Sequence, residues 1–104
     1  MDDIARDFAD KSIPLIKEKM PLTAVFGFGS RFDGNSKPDS DLDLIVVSPS
    51  FKEIPVPNRA FMLWDLLRPS THLDALCYTD DEFERMKQKS LFIQHILGIG
   101  QRIC

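Results

Sequence analysis

Gly27-Phe28-Gly29-Ser30-Arg31-Phe32-Asp33-Gly34-Asn35-Ser36-Lys37-Pro38-Asp39-Ser40-Asp41-Leu42-Asp43-Leu44 decides the fold: a Gly-Ser turn is followed, after ten residues, by two aspartates spaced i, i+2. The aspartates lead into Ile45-Val46-Val47, a β-branched run that reads as a buried strand. Residues i and i+2 of a strand face the same way, so Asp41 and Asp43 stand side by side, roughly 6 to 7 Å apart. At an effective dielectric of about 20, two full charges at that separation repel by about 2.5 kcal/mol, which demands a cation between them. An oxygen-only pair suits Mg²⁺, which takes one or two carboxylates together with waters and phosphate oxygens.

The Gly-Ser half fits the same chemistry. Val25-Phe26-Gly27-Phe28 reads as a strand ending at Gly29-Ser30. Glycine lets the backbone approach a ligand closely, and the amides after it, with the Ser30 hydroxyl, can donate to phosphate oxygens. A dinucleotide fingerprint would need glycine where Phe32 stands, and a Walker loop would need Gly-Lys-Ser/Thr, which is absent, so both are excluded.

Phe28-Gly29-Ser30 and Asp41-Leu42-Asp43 resemble the signature of the DNA polymerase β-like nucleotidyltransferases, an apolar residue, Gly-Gly or Gly-Ser, then Asp-x-Asp or Asp-x-Glu. That family carries a third carboxylate on a later strand, and Asp74 in His72-Leu73-Asp74-Ala75-Leu76-Cys77-Tyr78 offers it. The chain is most similar to the minimal nucleotidyltransferases, small stand-alone domains that accompany HEPN-type partners in toxin–antitoxin pairs. The resemblance implies a polymerase β-type α/β fold, a small mixed sheet with helices packed mainly on one side. It implies Asp41, Asp43 and Asp74 as catalytic and metal-ligating residues, holding two Mg²⁺ ions for which Mn²⁺ can substitute, and ATP as the substrate. It places Gly29 and Ser30 on the phosphates, with Arg31 and Lys37 as further nucleotide contacts. The implied reaction moves a nucleoside monophosphate, most simply AMP, to a hydroxyl acceptor, in the HEPN-linked subgroup a tyrosine of the partner. One position departs from the pattern: members of the small subgroup commonly have arginine before the glycine of the turn, and this chain has Asp33 before Gly34.

At 104 residues the chain reads as one domain, residues 1–104, with a single core. Larger relatives add a helical domain for the acceptor, for which there is no room, so a HEPN-type partner or a second copy is expected to complete the assembly. A net charge of −3 and a pI near 5.2 give no overall basic surface, which argues against non-specific nucleic-acid binding. The start, Met1-Asp2-Asp3-Ile4-Ala5-Arg6-Asp7, lacks the basic and apolar segments of a signal peptide, and no apolar run has transmembrane length; the expected location is cytoplasmic, with no membrane contact. Cys77 in a strand and Cys104 at the last position read as two reduced thiols.

Along the chain, Ile4, Phe8, Leu15 and Ile16 predict helical segments kinked or divided by Pro14. Strands are predicted over about Thr23 to Phe28, Leu42 to Val47 and Leu73 to Tyr78, the first two antiparallel. Ser48 to Asn58, with three prolines, reads as an extended loop. Arg59 to Arg68 predicts a helix apolar on more than one side, able to serve as core or as a partner surface. Thr79-Asp80-Asp81-Glu82 reads as a capping box, and Ser90 as the cap of a last helix ended by Gly98 or Gly100.

Other readings compete. Asp-x-Asp at a strand edge is often solvated, and Asp74 could instead pair with Arg59 or Arg68, since a carboxylate in an apolar strand is costly unless paired or metal-bound. His72 reads as a strand cap or a substrate contact and His95 as exposed; neither has zinc-ligand spacing with the cysteines. For the whole chain, the alternative to an enzyme is a non-catalytic antitoxin that masks its partner, a reading that Asp33 favours. An enzyme acting on a small molecule is disfavoured by the missing acceptor domain.

Overall fold

Leu42–Val47 forms the central strand β2 of a four-stranded sheet, and its apolar run from Leu44 to Val47 suits a strand covered on both faces. The computed structural model describes residues 1–104. β1 (Ala24–Phe28) lies antiparallel on one side of β2, and β3 (Leu73–Tyr78) lies parallel on the other. A two-residue strand, β4 (Gln101–Arg102), adds to the far side of β1, giving the order β3-β2-β1-β4. This mixed α/β sheet is the predicted fold class, with β2 and β3 at their predicted bounds.

Before the sheet come α1 (Asp3–Asp7), a π-helical stretch Phe8–Ser12 and α2 (Ile13–Lys19). Pro14 has no N–H, and its ring crowds the carbonyl four residues back. The chain widens by one residue per turn just ahead of it, with the Ile13 amide donating to the Phe8 carbonyl, and then resumes as α-helix. The expected kink is a π-bulge. Ala5, Phe8, Ile13, Ile16 and Met20 are buried with Val25, Leu44 and Val46 of the sheet, in a core that also takes Phe51 and Leu63.

The stretch after β2 corrects the expected extended loop. Pro49–Glu53 is a 3₁₀ helix started by Ser48, whose hydroxyl accepts from the Ser50 amide, and α4 (Val56–Leu67) begins three residues earlier than expected. Proline suits the first turn of a helix, where its missing N–H has no partner to lose, so Pro49 and Pro57 start helices here. Leu63 is the buried apolar residue of α4, while Phe61 and Trp64 are exposed and stacked on each other, so the helix is apolar on two sides.

α5 (Asp80–Lys89) and α6 (Leu91–Ile99) cover the other face of the sheet, packing Phe83, Ile93 and Ile96 on Ala24, Ile45 and Val47. This second core has six buried residues against 13 in the first, so most of the helical packing is on the α1–α2–α4 side. Both caps are as expected: Thr79 and Glu82 form the capping box, and the Ser90 hydroxyl accepts from the Ile93 amide. Cys77 and Cys104 are free, and burial pushes the Cys77 thiol up to about 12, leaving it a neutral core group. No helix is long and apolar enough to cross a membrane.

Candidate active site

The register brings the carboxylates together. Asp43 lies opposite Phe28 of β1 and beside Asp74 of β3, at the end of the sheet where β1 finishes and β2 and β3 begin. Asp41 precedes β2 on the same side. Each of the three residues offers a carboxylate oxygen within 4.8 Å of the others. Neither arginine proposed as an alternative partner reaches Asp74, because Arg59 pairs with Glu82 and Arg68 with Asp65. The only basic group at the cluster is His72, whose Nδ1 is 3.2 Å from Asp41 Oδ1. Partial burial, followed by the charges of Asp74 and Asp41, raises the pKa of Asp43 above its ordinary range, with His72 opposing weakly.

Gly29 ends β1 with φ +78°, a left-handed conformation that glycine adopts without strain. A Cβ there would also collide with the Asp43 carboxylate, so the turn and the acid sit against each other. α3 (Ser30–Asp33) starts immediately, with the Phe32 and Asp33 amides closing on the Gly29 carbonyl. The Ser30 and Arg31 amides, which precede the first such bond, have no acceptor within the helix and can donate to an anion. Phe32 folds back over Gly27, where any side chain would overlap its ring.

Arg31 and Lys37 differ from each other. The Arg31 guanidinium, from a residue only 4 % exposed, donates to the Ser40, Lys37 and Pro38 carbonyls and pairs with Asp2 at 2.9 Å. It is turned into the protein, so the expected nucleotide contact is engaged in holding the loop that leads to Asp41. Asp2, which the sequence did not single out, accepts from the Ala5 amide and the Ser36 hydroxyl as well. Burial would raise its pKa, but the Ala5 amide, Ser36 and Arg31 together hold it below the ordinary range. No local sequence signal ties Asp2 to a residue 29 positions away. Lys37 is exposed, with its ammonium in no ion pair. Asp33 is exposed and accepts only from the Asn35 amide.

Three carboxylates with no nitrogen or sulfur ligand among them, close enough to share one ion and bonded by no lysine or arginine, form a donor set that fits a hard divalent cation.

Residues 10–100 match the family model described as a nucleotidyltransferase domain. No curated protein matches the chain. Among solved structures, a candidate nucleotidyltransferase from Sulfolobus solfataricus is 27% identical, with 82% of each chain covered and a TM-score of 0.47. A toxin–antitoxin structure with AMP-PNP is 21% identical over 92% of this chain and 72% of that one, with a TM-score of 0.62, which shows a shared fold.

Proposed function

From a chain that belongs to the nucleotidyltransferase domain family, we propose a Mg²⁺-dependent enzyme that transfers a nucleoside monophosphate, most simply AMP from ATP, to a hydroxyl acceptor. The observation that carries this reading is the convergence of Asp41, Asp43 and Asp74 beside the Gly29–Ser30 turn. The three carboxylates would hold Mg²⁺, two ions with Mn²⁺ as a substitute, and the bound metal would neutralise phosphate charge and acidify the acceptor hydroxyl.

The chain's own residues divide the remaining work. Gly29 and the amides opening α3, with the Ser30 hydroxyl, receive the β- and γ-phosphates, and Lys37 adds positive charge from the loop. Arg31 positions Asp41 through the Ser40 carbonyl instead of touching phosphate. Asp74, on the strand farthest from the phosphate turn, faces the acceptor. The acceptor oxygen attacks the α-phosphorus in line, the bond to the bridging oxygen breaks, and pyrophosphate leaves. The likeness in fold to a toxin–antitoxin protein supports a protein acceptor, and the resemblance to the minimal nucleotidyltransferases makes a tyrosine of a HEPN-type partner the acceptor to test first.

A second reading is favoured by Asp33, which puts a negative charge in the turn meant for phosphates: a masking antitoxin without catalysis. Mass spectrometry of the partner after incubation with ATP and Mg²⁺ separates the two. An enzyme adds a nucleoside monophosphate, and Asp74→Asn abolishes the addition while retaining ATP binding. Silencing of the partner with no added mass rejects the catalytic reading.

A further inference from the structure

α6 is apolar on both of its sides. Ile93 and Ile96 are buried on the sheet, yet Leu91, Phe92 and Ile99 are 80%, 56% and 67% exposed, and His95 between them is the only ionisable residue on the helix. The exposed stripe runs into the active-site end of the sheet. Phe92 meets Phe28 edge to face at 6.4 Å between ring centroids, and Phe28 is the register partner of Asp43. Ile99 lines a cavity of about 330 Å³ together with Phe28, Gly29, Phe32, Asp33 and Gln101. That cavity has one charge, the Asp33 carboxylate, and no cation. Arg102, the nearest basic residue of β4, is turned away to the Cys104 and Thr23 carbonyls.

Two glycines at the end of α6 make the contrast sharper. A Cβ on Gly100 would press on the Ile96 and Gly27 carbonyl oxygens at 2.7 and 2.9 Å, so the fold itself requires that glycine. A Cβ on Gly98 would meet nothing within 4 Å. Glycine inside a helix is unfavourable relative to almost any other residue, and nothing within this chain offsets it at position 98. Close approach by a second backbone would.

We infer that the exposed face of α6 and the adjoining cavity are the docking surface for a protein partner that inserts an arginine, flanked by apolar side chains, against Asp33. Charge complementarity selects the cation, since Asp33 is the cavity's sole charge. The walls select arginine over lysine: a planar guanidinium stacks on Phe28 or Phe32 and bonds a carboxylate through two donors at once. Leu91, Phe92 and Ile99 give the apolar contact around it, and Gly98 gives the notch for the partner's backbone. An arginine seated there also stands beside Gly29, so the partner offsets the Asp33 charge at the phosphate turn. In that last respect the inference rests on the nucleotide reading above.

The test places a photo-reactive phenylalanine analogue at Phe92, and separately at Phe61 on the opposite helical layer as a control, in the full chain in its native cell. The expected result is an adduct with one protein from position 92 and none from position 61. With that protein purified, Gly98→Gln lowers its affinity at least 100-fold while the thermal stability of the isolated chain is retained. Asp33→Arg lowers it at least 10-fold, and changing to glutamate the partner arginine whose own loss weakens binding recovers the affinity. An adduct only with a second copy of this chain, an adduct only from position 61, no adduct, or binding indifferent to Gly98→Gln or to the charge exchange each overturns the inference. ATP titration of the isolated Gly98→Gln chain keeps the two readings apart: unchanged ATP binding with lost partner binding supports the docking face, whereas absence of ATP binding in the unaltered chain rejects the nucleotide site and leaves the docking face standing.

Discussion

At the C-terminal end of β3 the buried Arg59 guanidinium meets Glu82 and donates to the Ile54 and Cys77 carbonyls, whereas at the N-terminal end of the same strand Asp74 stands with Asp41 and Asp43 and no lysine or arginine bonds any of them. Both ends bring charges together. At the first, Arg59 and Glu82 neutralise each other, and hydrogen bonds from Arg59 and the Thr79 amide hold Glu82 below its ordinary pKa. At the second, the charges have one another, and Asp43 is held above its ordinary pKa. Three carboxylates this close repel one another, and a donor set of that kind suits a cationic ligand.

Removing the partner at the neutralised end has the largest expected effect on folding. Arg59→Met strands the Glu82 carboxylate and two carbonyls, and costs about 3 kcal/mol of stability in denaturant titration. Asp43→Asn does the reverse: it relieves repulsion, so the variant is at least as stable as the parent without metal, yet it weakens Mg²⁺-dependent ATP binding by about 100-fold or more in calorimetry. Equal ATP affinity in EDTA, or in Asp43→Asn, would erase the distinction between the two ends.

Acid sharpens the comparison because the two shifts have opposite signs. Glu82 has a folded pKa below its unfolded value, so its contribution is complete above the unfolded pKa and is lost as pH falls through the folded one. Asp43 has a folded pKa above its unfolded value. The folded state therefore holds the proton more tightly, and ionisation of Asp43 lowers stability as pH rises through the folded pKa. Melting temperatures measured from neutral into the acid range should show Asp43→Asn above the parent at neutral pH and converging on it in acid. Glu82→Gln should start below the parent and converge as well. Millimolar Mg²⁺ at neutral pH should close the Asp43→Asn gap by raising the parent, since a ligand at 100 times its dissociation constant adds about 2.7 kcal/mol.

Features set by neighbours in sequence were legible before the structure. The β-branched run fixed β2, the Thr79–Glu82 box and Ser90 are local side-chain to backbone bonds, and the i, i+2 spacing put Asp41 and Asp43 side by side after the Gly29–Ser30 turn, whereas Asp74, on another strand, was indicated only by the resemblance to the nucleotidyltransferases. Features set by distant residues were not. Arg31 read as a phosphate contact because its type and place suit one, but its direction is decided by Asp2, 29 residues earlier. Pro49, Pro55 and Pro57 read as a loop because proline breaks helices when interior and starts them when first, and composition alone does not say which. β4 has two residues, too few for any alternation to register.

The smallest expected effect lies within three residues of α6 and separates glycine kept by the fold from glycine kept for something outside it. Gly100→Ala forces a Cβ toward two carbonyl oxygens, the Gly27 one belonging to the backbone of β1, so the end of α6 must lift from the strand that carries the phosphate turn. Gly98→Ala adds a methyl group to open space in a helical position, where alanine is favoured over glycine by about 0.8 kcal/mol. Thermal melts of the isolated chain should therefore move in opposite directions, down for Gly100→Ala and up by a few degrees for Gly98→Ala. If Gly98→Ala destabilises the isolated chain, position 98 has a structural role within the fold, and the argument that its glycine serves a second protein loses its footing. If it stabilises the isolated chain while weakening the complex, the same methyl group reports both that this chain has no use for the notch and that its partner does.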